Sequence, residues 1–403
     1  MTIFDYILIA ASLLLGLIFL HPKLLRSRVW RATVTPLASI IGSGFLVAGP
    51  ILGATAGRMA WLAMLALCML AYLFGSAIRH NIQQIEPLLE QHPPRLVARL
   101  ERASELMLST AYFVSVAYYL NLFAAFALRL GNITDPFWIR VLASVVIAYV
   151  GVLGLRGGLA ALERLEEKAV GLKLSLIGGL LIVLVIASAI AVGNGSFTWS
   201  TLPHTEGTRE LQTLLGLVVL VQGFETSRYL GSAYDATTRI HTMRYAQWIS
   251  TAIYLAFILL ITRYFTDGLP SQGGETAIID MLKPIGSALA PMIIVAALAS
   301  QLSAAVADTN GAGGLLSETF SRKLSINFAS AATALVAITM TWLANIYQII
   351  TFASQIFVGY YALQSLQAAL SAWRLRRFAW VAVYGTGTLI ALLVVVFAIP
   401  VAA

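Results

Sequence analysis

Two short polar interruptions of apolar sequence are the places where this chain could do chemistry. The first is Ile41-Gly42-Ser43-Gly44-Phe45, inside an apolar stretch from about Pro36 to Gly53. The second, about half a chain away, is Gly223-Phe224-Glu225-Thr226-Ser227-Arg228, inside a stretch from about Leu211 to Gly231. Glycine carries no Cβ and tolerates an unwound turn. Backbone N–H groups freed at such a turn, with the positive end of the following half-helix, would cradle a carboxylate or another anionic group. Freed carbonyls at the second site would accept hydrogen bonds from an amine or coordinate a cation, and Phe224 would cover the ligand. A pair of interruptions at matching positions of two halves points to the solute site of a transporter. The plainer reading of Gly42 and Gly44 is close helix–helix contact.

Further polar side chains sit at depth. A carboxylate such as Glu225 costs about 2.5–3.5 kcal/mol in the middle of a spanning helix, so it must be paired or wet. Arg228, three residues on, shares its helix face and would form an ion pair or a gate. Lys173 lies about one turn inside its apolar run. It would either snorkel to the surface or stand in for a coupling sodium and carry a coupled proton. Ser300 and Ser303 are one turn apart and Asp308 lies further along the same run. Together they would line an exit or hold a cation; small polar residues also make ordinary interhelical hydrogen bonds. Ser354 and Gln355 are further candidates for a cavity wall.

The elements that must hold these groups are membrane helices. The chain has 403 residues, 59% hydrophobic and 11% charged, and a mean hydropathy of +0.84. A soluble domain carries roughly twice that charged share. About twelve apolar runs have the length that crosses ~30 Å of hydrocarbon. The net charge of +8 resides mostly in loop Lys and Arg, which argues for a membrane protein and against nucleic acid as a partner. Cys68 is the one cysteine, so no disulfide framework forms within the chain. The five histidines have no metal-ligand spacing, and no catalytic motif is visible, so an enzyme is not expected.

With the N-terminus outside, the loops assigned to the cytoplasm carry most of the Arg and Lys, which puts both termini outside. Residues 80 to about 103 form the longest cytoplasmic link, expected to lie as an amphipathic segment on the inner surface. Removing the first and last spans leaves ten, and these divide into two fives. The expected layout is residues 1–33 as an extra helix with a basic link, 34–193 as the first repeat, 194–207 as an outer loop, 208–378 as the second repeat and 379–403 as a last helix. Five is odd, so the second copy enters from the opposite side. The expected fold is therefore an all-α integral membrane protein: a five-plus-five inverted repeat with two discontinuous helices and an extra helix at each end.

The first interruption, the second interruption and Lys173 resemble the amino acid–polyamine–organocation superfamily, over residues 34–378. That resemblance implies the leucine-transporter-type fold. It implies that Gly42, Ser43 and Gly44, flanked by Ile41 and Phe45, hold a substrate carboxylate. It gives Gly223, Phe224 and Glu225 the amine and the aromatic gate, and a lysine at 173 favours proton coupling or ion-independent exchange. The outside-first extra helix and Leu155-Arg156-Gly157-Gly158-Leu159 are instead similar to the sodium–solute symporter family of the same fold. The serine–threonine pair of that family's sodium site is missing, since Ala305-Val306 precede Ala307-Asp308, and Ser300 and Ser303 would substitute.

The function expected is secondary active transport of a small amino-acid-like or amine solute by alternating access in a bacterial inner membrane. H⁺ or Na⁺ is the coupling ion, no other cofactor is needed, and the protein is a monomer or homodimer in contact with lipid. The alternatives are a sensor that binds a solute without moving it and a membrane scaffold with a degenerate site.

Overall fold

The computed structural model describes residues 2–401 except 92, 157–159, 203–206, 266–269, 271–272 and 320–324, with the backbone alone at 43, 160–169, 318–319 and 326. Helices α1 (Ile3–Phe19), α2 (Pro22–Leu25), α3 (Arg28–Ala56), α4 (Ala60–Gln84), α5 (Glu86–Leu89), α6 (Arg95–Leu128), α7 (Pro136–Leu155) and α8 (Ala160–Gly193) come first. They are followed by α9 (Thr208–Leu215), α10 (Ala236–Ile261), α11 (Ile278–Leu282), α12 (Leu289–Thr319), α13 (Ile326–Leu343), α14 (Ile346–Arg374) and α15 (Phe378–Phe397). No strand occurs among the described residues. Among the described residues eight stretches are long and apolar enough to cross a membrane, and one of them, Arg28–Gln84, contains both α3 and α4. Helix α1 and most of α13 are shorter apolar helices.

The second interruption is a true break. Helix α9 stops at Leu215, a 3₁₀ turn follows at Val218–Val221, and Gln222 is extended (φ −78°, ψ 170°). Gly223 then takes φ 118° before a further 3₁₀ run at Phe224–Leu230. A side chain there would meet backbone, with a Cβ 2.7 Å from Ile40 N, so only glycine combines the left-handed turn with this approach to α3. Helix α14 satisfies part of the freed backbone. The Val219 N–H donates to Ser354 Oγ at 2.9 Å, and that hydroxyl donates to the Gly216 carbonyl at 2.7 Å.

The first interruption is not a break. Helix α3 runs as one helix of 29 residues through Gly42–Gly44, so the expectation of two discontinuous helices holds for the second alone. The glycines allow close approach instead: a Cβ on Gly44 would stand 3.0 Å from the Leu220 Cα. A helix in a dry interior keeps its own hydrogen bonds wherever packing permits, because no water replaces them. Gly44 therefore brings α3 against the broken segment without unwinding it.

The link expected over residues 80 to about 103 is also shorter than its polarity suggested. Helix α4 continues to Gln84 and α6 already begins at Arg95. Buried hydrogen bonds extend both helices. Asn81 Nδ2 donates to Gln364 Oε1 at 2.8 Å, His80 Nε2 lies 3.0 Å from Ser371 Oγ, and Glu101 meets Arg228 at 3.0 Å.

Helix α1 is held firmly. Gly171, Gly178 and Gly179 of α8 face Leu20, Leu15 and Ser12 of α1, and a Cβ on Gly171 would come within 2.8 Å of Leu20 Cδ2. At the other end of α1, buried Asp5 accepts from Ala288 N–H at 2.8 Å and from Ser287 Oγ at 3.1 Å, capping the start of α12. Charge-assisted bonds of this kind are worth about 1.5–3 kcal/mol each. Asp5→Asn should therefore destabilise the purified protein by roughly 2 kcal/mol. An unchanged unfolding midpoint would show that the cap carries no load.

Candidate functional site

A cavity of about 800 Å³ lies between the first half of α3, the start of the well-described part of α8, the broken segment and the second half of α12. It lies against the first half of α3, which follows the connection carrying Lys23 and Arg26. It reaches the surface at exposed Gly231 and Ser232. Lys173, Ser300, Ser303, Asp308 and Arg228 all line it. The chain thus brings to one wall five polar groups separated by up to 135 positions in sequence.

Lys173 is nearly buried, at 5% exposure, and does not snorkel. Its Nζ donates to the Ala38 carbonyl at 2.8 Å and to Ser300 Oγ at 3.2 Å. Gly42 makes room for this ammonium: a Cβ there would lie 3.4 Å from Lys173 Nζ and 3.5 Å from Ser300 Oγ. Asp308 accepts from the Ser115 hydroxyl of α6. Arg228 is bound by Glu101 at 3.0 Å and Glu86 at 3.7 Å, and donates to Gln364. Glu86 also accepts from Arg239 at 2.6 Å. The ion pair expected between Glu225 and Arg228 is therefore absent. Glu86 of α5 and Glu101 of α6 hold Arg228 instead, while Glu225 is taken up by the Gly223 N–H and Tyr361 OH.

Glu225 sits behind the cavity wall, fully buried. Its Oε2 accepts from the Gly223 N–H at 2.9 Å and from Tyr361 OH at 2.8 Å, while Oε1 has no partner. Phe224 stacks on Tyr361, with centroids 5.0 Å apart. Ile41 and Phe45 are buried, and Phe45 packs on Phe257 at 4.2 Å. Packing of Gly44 on Leu220, Gly49 on Phe257 and Gly53 on Phe265 closes α3 on the side away from the cavity. Ser43's side chain lies outside the described residues. Ser354 and Gln355 do not line the cavity: Ser354 braces the break, and Gln355 donates to the Val395 and Ala398 carbonyls near the end of α15.

A broken helix beside a polar, surface-reaching cavity in a bundle of apolar helices describes a solute carrier. Residues 22–398 match the family model of the APC superfamily transporter. The chain belongs to the APC superfamily of transporters. It is similar to an uncharacterized protein of Aquifex aeolicus (strain VF5), 40% identical over 374 residues that cover 92% of this chain and 91% of that one. It is accordingly a multi-pass membrane protein.

Several groups of this APC transporter's site were not singled out from sequence. Tyr254 OH lies 3.0 Å from the Ile40 carbonyl and 2.6 Å from that of Leu220, bridging α3 to the break. Gln222 Nε2 donates to Tyr119 OH at 2.9 Å. Tyr112 and Thr226 join the cavity wall, and Gln301 Nε2 reaches the Gly42 carbonyl at 3.4 Å. The available signal was the run of tyrosines inside apolar spans (Tyr112, Tyr118, Tyr119, Tyr254, Tyr360, Tyr361). A phenol at depth needs a hydrogen-bond partner.

Proposed function

We propose that the protein moves a small amino-acid-like or amine solute across the bacterial inner membrane by alternating access, driven by protons. The reading rests on one observation: a cavity of about 800 Å³ ends on a buried ammonium beside a broken helix. In this reading residues 34–193 and 208–378 are the two inverted repeats, and α1 and α15 are the extra helices. The broken segment and α3 form the central pair. Both termini lie outside, so the cavity faces the cytoplasm and the closed packing of Gly44, Gly49 and Gly53 forms the outer seal. Arg228, Glu101, Glu86 and Arg239 form the gate cluster at the rim, while Asp308 and Ser303 line the path below.

Lys173 is the coupling group. Its ammonium ties α8 to α3 through Ala38 and to α12 through Ser300, a position where a bound cation would otherwise bridge the same acceptors. Loss of its proton removes the charge and weakens both bonds, loosening α3 from α8 and α12. Sodium coupling gains no support from these contacts, because the ammonium already fills the position. Substrate amine and carboxyl groups would find the hydroxyls of Ser300 and Thr226 on the cavity wall.

The test is uptake of radiolabelled amino acids and amines by proteoliposomes of the purified protein. Uptake driven by a pH gradient without Na⁺ is expected, and Lys173→Met should remove that dependence, lowering accumulation at least about tenfold. Uptake that needs Na⁺ and ignores the pH gradient would overturn the proton reading. Binding without flux would favour the sensor.

A further inference from the structure

A second large cavity has no part in the solute path. It is a groove of about 690 Å³ on the flank of the bundle, between α4, α10 and α15. One end holds Arg79, Arg244 and Arg377, and among the described residues no Asp or Glu lines it. Arg79 is 6% exposed, donates to the side-chain oxygen of Gln247 and lies 4.6 Å over the Tyr72 ring. Neither contact neutralises it. Nε of Arg244 is buried and has no hydrogen-bond partner. Among the described residues, none of the three arginines forms an ion pair. Three clustered cations without a carboxylate, one almost buried, are electrostatically incomplete in a low-dielectric setting.

The rest of the groove is mostly apolar, with Ser76 and Thr251 among the side chains along it. It follows α4 from Gln83 up to Leu65, a length of roughly 27 Å at 1.5 Å per residue, past Met69 and Leu73. That is longer than one hydrocarbon leaflet, about 15 Å. Trp248 and Trp380 flank it at 53% and 47% exposure, so they face the surroundings of the bundle, where indole rings favour the level of lipid headgroups. Gly75 builds the site: a Cβ there would meet the Gln247 amide, 2.8 Å from Cδ, and disturb the group that orients Arg79. A cationic pocket continuous with an apolar channel, both open to the side of a membrane protein, matches an amphiphile with an anionic head.

We propose that this groove holds one anionic diacyl phospholipid. Its phosphate sits among Arg79, Arg244 and Arg377, and one acyl chain lies along Leu65, Met69 and Leu73. The lipid completes the contact of α15 with α4 and α10. The probe is dioleoyl phosphatidylglycerol added to purified full-length protein in detergent, followed by native mass spectrometry and thermal unfolding. One tightly retained copy per protein and a raised midpoint are expected, with dioleoyl phosphatidylcholine giving neither. Arg244→Gln with Arg377→Gln leaves the more buried Arg79 in place and should weaken retention about 30-fold. Equal retention of the two lipids would overturn the proposal. So would unchanged retention by the double variant, or a full midpoint shift with inorganic phosphate alone. Lipid-free dimers that hide the groove would assign it to a second copy of the chain instead.

Discussion

Gly223→Ala is expected to abolish uptake in proteoliposomes and lower the unfolding midpoint, while Gly385→Ala should do neither. At φ 118° an alanine is strained, by about 1–3 kcal/mol. Its Cβ would also stand 2.5 Å from Ser39 Oγ and 2.7 Å from Ile40 N, and backbone cannot step aside as a flexible side chain can. Overpacking of this kind adds roughly 1–3 kcal/mol. Relief comes only if the segment rewinds or leaves α3, and either movement removes the Gly223 N–H from Glu225 and Ile40 from Tyr254. Gly385 in the middle of α15 has nothing within 4 Å of a built Cβ, so alanine there is neutral or slightly favourable. Full uptake by Gly223→Ala would mean that the break has no part in transport.

Arg228→Met is the second large effect. The guanidinium is almost buried, at 3% side-chain exposure, and Glu101 at 11% is nearly so. Removing the cation leaves Glu101 and Glu86 facing each other without a counter-charge except Arg239, which Glu86 already holds. Breaking a buried pair by deleting one partner costs about 3–5 kcal/mol. Combining Arg228→Met with Glu101→Gln should recover a large part of that loss, because neither charge is then stranded. A coupling of at least about 1 kcal/mol in the four-variant cycle is expected. Strict additivity would show that the two groups do not depend on each other. Transport separates stability from gating. The double variant should insert and bind solute, yet leak between states faster, because the rim no longer holds the Phe224–Leu230 turn to α5 and α6.

The apolar runs made the helical architecture legible, since run length and charge scarcity reflect the bilayer directly. Gly223-Phe224-Glu225 was legible as a break because a carboxylate and a glycine together are costly in a continuous spanning helix. Gly42-Ser43-Gly44 was not. The same small residues permit unwinding and permit close contact, and the choice depends on Leu220, which approaches from almost 180 positions away. Lys173, Ser300, Ser303 and Asp308 were singled out as polar groups at depth, and they do share a cavity. Their partners Ala38 and Ser115 could not be read, because a backbone carbonyl leaves no mark in composition and a lone serine is common in membrane helices. The partner of Arg228 was misjudged for a related reason. A rule based on i, i+3 spacing sees only the local carboxylate, whereas Glu86 and Glu101 reach Arg228 from other helices. Glu101 lay in what looked like a surface link, where a glutamate draws no notice.

The clamp made by α1 has a mechanical result. Its glycine-lined seam fastens it to α8, and Asp5 fastens it to the start of α12. Lys173 rides on the first of these helices and Ser300 on the second. In the proposed transport cycle this strut would make the two into a single rigid plate, with the ammonium and hydroxyl keeping their spacing. That cycle would place the flexing joint on the opposite flank, at α3 and the unwound strip, and cutting the strut should blur the stroke rather than empty the pocket.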